Sequence, residues 1–338
     1  MPDMSETSKH IYLTIGDPTG IGPEIAAKFL HQQSLRPSGN PITVFGDIDN
    51  LETMARQLGL NLPEGGRFHY ENLQNKGVNA KAAGQIAYDS IEAAISEIHR
   101  GSAQALVTGP ISKEHLKAAG IPFSGHTEIL QKLAREYYQH PYQSDMLFIY
   151  RQFRMLLLTR HVSLRRVSEM LTIEGVQRSL ENLAIFFRMQ CQINSPRLCV
   201  LGVNPHAGEL EGDEETRILK PALKLVSQKF GFGIEAPVAA DAAFRHFDIN
   251  RLDYDAYVAA YHDQGLIPFK MVAGLNAVNV TIGLPFLRTS VSHGTAPDIA
   301  GQGIADPCSL IEAYEAAIQL AHGASSTASR ATNPVTPV

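Results

Sequence analysis

Three histidines in this chain each close an apolar, β-prone run: Thr159-Arg160-His161, Val203-Asn204-Pro205-His206 and Ala260-Tyr261-His262-Asp263. Neutral imidazole is the commonest transition-metal ligand, and three protein ligands with one open position are typical of a catalytic zinc site. One such histidine is more often a hydrogen-bonded loop residue. Three in the same position, with the acids Asp241 and Asp263 nearby, point instead to a shared divalent cation, zinc before magnesium or cobalt because imidazole suits the softer ion.

Anion-binding residues follow the third histidine. Lys270 and Arg288 are the nearest cations, and Asn279 lies between them. Together they could clamp an anionic substrate, although two solvated surface cations are the plain alternative. Upstream, Gly125-His126-Thr127-Glu128 precedes the periodic Ile129, Leu130 and Leu133. This places His126 and Thr127 at a helix start, where free N–H groups and the helix dipole attract anions, with Ser124 or Thr127 as its cap. Gly16-Asp17-Pro18-Thr19-Gly20-Ile21-Gly22-Pro23-Glu24 joins a strand to a helix beginning near Pro23. Its glycines suit either close ligand approach or a tight turn, and neither G-x-G-x-x-G nor a P-loop lysine is present. The small, polar loop from Ser292 to Gly301 either binds something or merely connects.

These residues need a scaffold. Short β-rich runs (Ile11 to Ile15, Ile42 to Phe45, Ala105 to Thr108, Met146 to Tyr150, Met155 to Thr159, Leu198 to Val203, Ala256 to Tyr261 and Ala277 to Ile282) alternate with helical periodicity. Ala87, Ile91, Ile95 and Ile98 share one helical face, and Val176, Leu180, Leu183 and Phe187 share another. The alternation predicts an α/β protein whose ligands sit beyond strand ends. With 338 residues, and about 150 residues per domain, we expect two domains sharing a continuous sheet, with a cleft between them.

Composition narrows the partners. Scattered Lys and Arg, 29 against 34 Asp and Glu, give a net charge of −5 and argue against nucleic acid. Cys191, Cys199 and Cys308 form neither a disulfide framework nor a zinc knuckle, which fits a reducing cytoplasm. No apolar run reaches the roughly 18 residues of a membrane span, so we expect no membrane association and no signal peptide. The Ser, Thr, Ala and Pro-rich tail from Ala324 is expected to be disordered.

In order, GDPTGIGPE, VTGPISK, SGHTEIL, TRHVSL, NPHAGE, YHDQGLIPFK, NVTIGLPFLRTS and SHGTAPDIAG resemble the motifs of the PdxA family of 4-hydroxythreonine-4-phosphate dehydrogenases. The first and last are also similar to motifs of isocitrate and isopropylmalate dehydrogenases. The resemblance implies a two-domain fold of the isocitrate/isopropylmalate dehydrogenase type with an interdomain active-site cleft. Residues 1–125 with 291–325 would form a first, discontinuous domain, 126–290 a second that carries the dimer contacts, and 326–338 a tail. It implies a homodimer with a shared active site and a divalent metal on His161, His206 and His262, the last from the partner subunit. Substrate contacts carry over to His126, Thr127, Lys270, Asn279 and Arg288, and NAD (or NADP) contacts to His293, Gly294, Thr295 and Asp298. Asp241 and Asp263 match acids near the metal.

The implied reaction is NAD-dependent oxidation of 4-phosphooxy-L-threonine at C3, followed by loss of CO2 to give 3-amino-2-oxopropyl phosphate, a step toward pyridoxal 5'-phosphate. Lys270 or one of the two acids would take the proton. Ser292 stands where the family often has Asp, and Asp17 and Thr19 where it often has Glu and Ala. These departures keep relatives acting on D-threonate 4-phosphate or D-erythronate 4-phosphate in play. An isopropylmalate-type dehydrogenase ranks below them, and the competing classes are an acyltransferase on a similar fold and a catalytically silent metal-binding protein.

Overall fold

The computed structural model describes residues 10–73, 79–123 and 125–323. The expected tail and Ser124 fall outside them. The strands are β1 (Ile11–Thr14), β2 (Ile42–Gly46), β3 (Phe68–Asn72), β4 (Ala105–Thr108), β5 (Asp145–Tyr150), β6 (Phe153–Leu157), β7 (Leu198–Val200), β8 (Ala256–Ala259), β9 (Val278–Ile282) and β10 (Leu287–Ser290). They form one sheet in the order β3-β2-β1-β4-β10-β9-β5-β6-β8-β7. The expectation of an α/β chain with a continuous sheet is met.

Strand direction divides this sheet. β3, β2, β1, β4 and β10 are parallel, β10, β9, β5 and β6 are successively antiparallel, and β6, β8 and β7 run parallel again. Ligands in open α/β sheets collect where strand order and direction change. The midline of this sheet, from β4 to β5, is that place.

Apolar burial shows the same division. On one face a continuous core spans both halves, uniting Ile25, Phe29 and Leu310 with Leu180, Phe187 and Val226. On the other face the apolar residues separate into two clusters. One lies under the helices Ala80–His99 and His126–Tyr138, and the other under the helix His262–Ala273. Because side chains alternate along a strand, the residues between those clusters are Thr108, Arg288, Ser290, Asn279, Thr281 and Met146, facing one another across β4, β10, β9 and β5. Five of the six are polar, so the divided face leaves a polar floor at the midline.

The predicted helical faces are buried as expected: Ala87, Ile91, Ile95 and Ile98 in Ala80–His99, and Val176, Leu180, Leu183 and Phe187 in Ile173–Gln190. Pro23 stands in the first turn of Gly22–Ser34. Cys191, Cys199 and Cys308 are all free thiols. Among the described residues no helix is long and apolar enough to cross a membrane.

Candidate active site

The GDPTGIGPE segment acts as a bracket within the protein. A Cβ on Gly16 would overlap the Pro110 carbonyl, one on Gly20 would strike Thr295, and one on Gly22 would overlap the Ile15 carbonyl. The glycines therefore permit backbone to pack on backbone, which decides for the turn. Both acids are consumed likewise. Asp17 accepts from the Thr19 amide and hydroxyl at 2.9 and 2.7 Å and bonds His115 Nδ1 at 2.7 Å. Buried Glu24 accepts from Lys28 at 2.8 Å and from the amides of Gly303 and Ala305 at 3.1 and 2.7 Å. The bracket fixes the loops carrying Pro110 and His293, both of which border the polar floor.

Above the floor lies a cavity of about 190 Å3. Its walls bring together His126, Thr127, Asn279, Arg288, His161 and His293, all singled out from sequence, with Lys113 and Glu128, which were not. A second hollow of about 490 Å3 shares Lys113, Thr127 and His161 with it and adds Arg160 and Arg178. A third, of about 240 Å3, joins Arg160 and His161 to His262 and Asp263. The three meet at His161.

Arg288 dominates the electrostatics. It is 2% exposed, and its guanidinium donates to the Thr108 hydroxyl at 3.0 and 2.6 Å and to the Thr281 hydroxyl at 3.0 Å. Among the described residues no carboxylate lies within ion-pair distance of it. Burial lowers its pKa to about 9, which still leaves it charged at neutral pH. A buried charge without a counter-charge is costly unless something of opposite sign arrives. Burial rules out the reading of Arg288 as a solvated surface cation.

The neighbouring polar atoms are unsatisfied in the same direction. His126 Nε2, Asn279 Oδ1 and His293 Nε2 are buried without a hydrogen-bond partner among the described residues, as is Arg160 Nη1 beside His161. Buried polar atoms in native proteins are nearly always paired. Four orphans around connected hollows mark a ligand's place.

His126 is the first residue of the helix His126–Tyr138, whose N-cap is Gly125 with no side-chain cap bond, so Thr127 is no cap and stands inside the first turn. Burial, then the charge of Arg288, pushes the His126 pKa well below the ordinary histidine value, against a hydrogen bond to the Gly109 backbone. With the other ring nitrogen on Gly109, Nε2 carries the lone pair and accepts. The unfolded chain takes up a proton below about pH 6.5 that this folded imidazole refuses, so its contribution is present above that pH and is lost as pH falls, by up to about 1.4 kcal/mol per unit. We expect urea unfolding at about pH 7.5 and 5.5 to show a larger loss for the unsubstituted protein than for His126→Asn. Parallel losses would contradict it.

His161 and His262 of one chain lie with ring centroids 5.6 Å apart. Burial, the neighbouring His262 and the cations Lys113 and Arg160 lower the His161 pKa and favour the neutral, ligating form. His262 Nδ1 bonds the Asp263 carboxylate at 2.7 Å, an arrangement that orients an imidazole with its other nitrogen free for a metal. His206 is exposed on a turn and lines none of these hollows, and among the described residues no three His, Cys, Asp or Glu side chains form a metal-holding group within one chain. The donor chemistry of the His161 and His262 pair fits a cation, with further ligands to come from elsewhere.

Other expected residues do not converge here. Lys270 is exposed in the last turn of His262–Ala273, and Asp241 is exposed in a turn; neither lines these hollows. In the last loop His293 faces the cavity, Gly294 and Asp298 are exposed, and the Thr295 carbonyl accepts from the Ile21 amide at 2.9 Å. Lys113 was legible only as the last residue of VTGPISK, and Arg160 only as the neighbour of His161.

Residues 38–317 match the family described as "Pyridoxal phosphate biosynthetic protein PdxA". The chain belongs to the PdxA family. It is 37% identical to a 4-hydroxythreonine-4-phosphate dehydrogenase of Methylorubrum extorquens, over 94% of this chain and 96% of that protein. It is 36% identical to the D-threonate 4-phosphate dehydrogenase of Cupriavidus necator, over 94% of this chain and 99% of that one. The crystal structure of 4-hydroxythreonine-4-phosphate dehydrogenase from Klebsiella pneumoniae is similar with a TM-score of 0.80 and 34% identity, covering 93% of this chain and 100% of that one. As a PdxA-family α/β protein, the chain is a dehydrogenase by kinship, and the orphaned polar atoms around Arg288 are where its substrate chemistry is to be sought.

Proposed function

We propose that this PdxA-family protein oxidises the C3 hydroxyl of 4-phosphooxy-L-threonine with NAD, giving 2-amino-3-oxo-4-phosphooxybutanoate, which decarboxylates to 3-amino-2-oxopropyl phosphate in pyridoxal 5'-phosphate synthesis. The observation that carries this reading is Arg288: a fully buried guanidinium, unmatched by any described acid, on the floor of a cavity sized for a small molecule. It binds an anionic end of the substrate through a charge-assisted fork. His126 Nε2 and Asn279 Oδ1 accept hydrogen bonds from the substrate's ammonium and hydroxyl, and Thr127 and Lys113 border the same space. His293, Gly294, Thr295 and Asp298 would hold NAD, which would supply the hydride acceptor.

His161, His262 and His206 would hold a divalent cation, zinc first and magnesium or cobalt as alternatives. Such a cation supplies acidification of the hydroxyl and stabilisation of negative charge on its oxygen. Asp263 fixes the His262 ring, and Asp263, Lys270 or Asp241 takes the released proton. Within one chain Lys270 and Asp241 line none of the hollows, so those roles would require a second copy, in keeping with a homodimer with a shared site. Ile267 and Met271 support it as well: they are 61 and 82% exposed and four residues apart on the helix that His262 opens, with Leu275, 67% exposed, in the turn that follows it. An exposed apolar stripe of this kind marks a protein contact. We place the protein in the cytoplasm.

A second reading has one specific ground, the relatives named for D-threonate 4-phosphate. NADH formation with a panel of 4-phosphorylated hydroxy acids, with and without chelator, separates the two. The expected result is turnover of 4-phosphooxy-L-threonine, lost with chelator and restored by zinc. Preferred turnover of D-threonate 4-phosphate would move the assignment to the second reading. No NADH with any member, alongside acyl transfer to phosphate, would overturn both.

A further inference from the structure

We propose that Glu215, assisted by Glu214, is a positioning residue for His206: its buried carboxylate locks the turn from Val203 to Gly208 and so fixes where the imidazole points. The turn needs such a lock. His206 (φ 55°, ψ 28°) and Ala207 (φ 53°, ψ 40°) are both left-handed, and Gly208 continues with φ 78°. Left-handed backbone disfavours each residue bearing a Cβ by roughly 1–2 kcal/mol, so two in succession persist only where surrounding contacts impose them.

Glu215 anchors the residues that lead into that turn. It is 1% exposed, and its Oε1 accepts from the backbone amides of Val203 and Asn204 at 2.7 and 2.8 Å. Oε2 accepts from Asn204 Nδ2 at 3.0 Å. Two glycines make room for it: a Cβ on Gly208 would fall 2.5 Å from Oε2, and one on Gly202 would fall 3.3 Å from Oε1. Glu215 begins a π-helical turn, Glu215–Leu219, ahead of the helix Lys220–Phe230, and π-turns recur at functional sites. No cation pairs with it among the described residues; backbone and amide N–H groups alone balance its charge.

Glu214 extends the device toward the other histidines. It accepts from Asn204 Nδ2 at 2.7 Å and from the Ser168 hydroxyl. Ser168 lies in the helix Val167–Met170, on the segment that leaves His161. Two adjacent acids therefore tie the His206 turn to the His161 segment. The inference rests on the reading of His206 as a metal ligand, and residues that orient a ligating histidine typically change metal affinity about 10- to 100-fold when replaced.

The test is Glu215→Gln in the full-length protein. Glutamine keeps one acceptor for the Val203 and Asn204 amides but sets a donor against Asn204 Nδ2. We expect Zn2+ affinity, read by competition with a fluorescent chelator, to fall about 10- to 100-fold. We also expect an altered Co2+ absorption band and faster amide exchange at Val203 and Asn204 in the metal-free protein. Glu214→Gln, which loses the tie to Ser168, is read in the same way and is expected to fall less. His206→Ala runs beside them. If His206→Ala weakens Zn2+ binding while neither acid variant changes affinity or the Co2+ band, the positioning role is overturned and the metal reading stands. If His206→Ala leaves Zn2+ affinity unchanged, both fall. If Glu215→Gln does not fold, the Glu214→Gln affinity alone decides the positioning role.

Discussion

Arg288→Ala is expected to lower kcat/KM for the phosphorylated substrate by at least roughly 30-fold while leaving the KM for NAD nearly unchanged. The size follows from burial. Truncating one partner of a desolvated, hydrogen-bonded charge pair removes about 2–5 kcal/mol, and each 1.36 kcal/mol is tenfold in rate. A surface cation would yield far less, about 0–1 kcal/mol, but Arg288 is 2% exposed and held in place by Thr108 and Thr281. Arg288→Lys separates charge from shape: it keeps the positive charge but loses the planar fork that meets two oxygens at once, so it should recover only part of the loss. Stability should not follow activity. Without substrate the guanidinium is a buried charge facing no acid, and its removal relieves desolvation, so thermal unfolding of substrate-free Arg288→Ala should show little loss. Steady-state kinetics with substrate and NAD varied separately give the comparison. Unchanged substrate KM and kcat/KM in Arg288→Ala would remove this residue from the site.

The place of Arg288 also shows where sequence reading stopped. All eight runs read as strands correspond to strands, because each is apolar or alternating enough to be buried in a sheet. The two strands not foreseen are β3, Phe68–Asn72, and β10, Leu287–Ser290. β3 is an edge strand with its first residue alone buried, so its pattern is that of a loop. β10 was missed for the opposite reason. Every one of its residues is buried, yet three of the four are polar, which no period of two would predict for a central strand. Local rules fail where function overrides them. Here the polar floor of the site replaced an apolar strand face.

Motifs divided similarly. His126, Thr127, His161, Asn279, Arg288 and His293 were legible by type and position, and all line one cavity. Lys113 lines the same cavity from the start of the helix Lys113–Ala118, and Arg160 lines the two adjoining hollows from a loop whose course no sequence pattern states. GDPTGIGPE was the signal that stayed open, since a glycine that admits a ligand and one that admits a neighbouring carbonyl look alike in sequence. Only the contacts of Gly16, Gly20 and Gly22 distinguish them.

Mixing experiments between inactive variants have the second large expected effect, because they turn zero activity into measurable activity. The family resemblance implies that His262 crosses to the partner subunit. Within one chain, however, its ring is already 5.6 Å from that of His161, centroid to centroid, while His206 is exposed on a turn of its own. If that pairing persists in the dimer, His161 and His262 act from one chain and His206 is the ligand supplied across it. In a heterodimer of His161→Ala with His206→Ala, one site then collects both defects and the other collects none, so up to about half of normal activity should return. A heterodimer of His161→Ala with His262→Ala should stay inactive, since each site keeps one defect. The reverse pattern, recovery only with the second mixture, would assign the crossing to His262. No recovery in either, with subunit exchange verified by mass-tagged chains, would mean that all three ligands come from one chain and that the shared site is wrong.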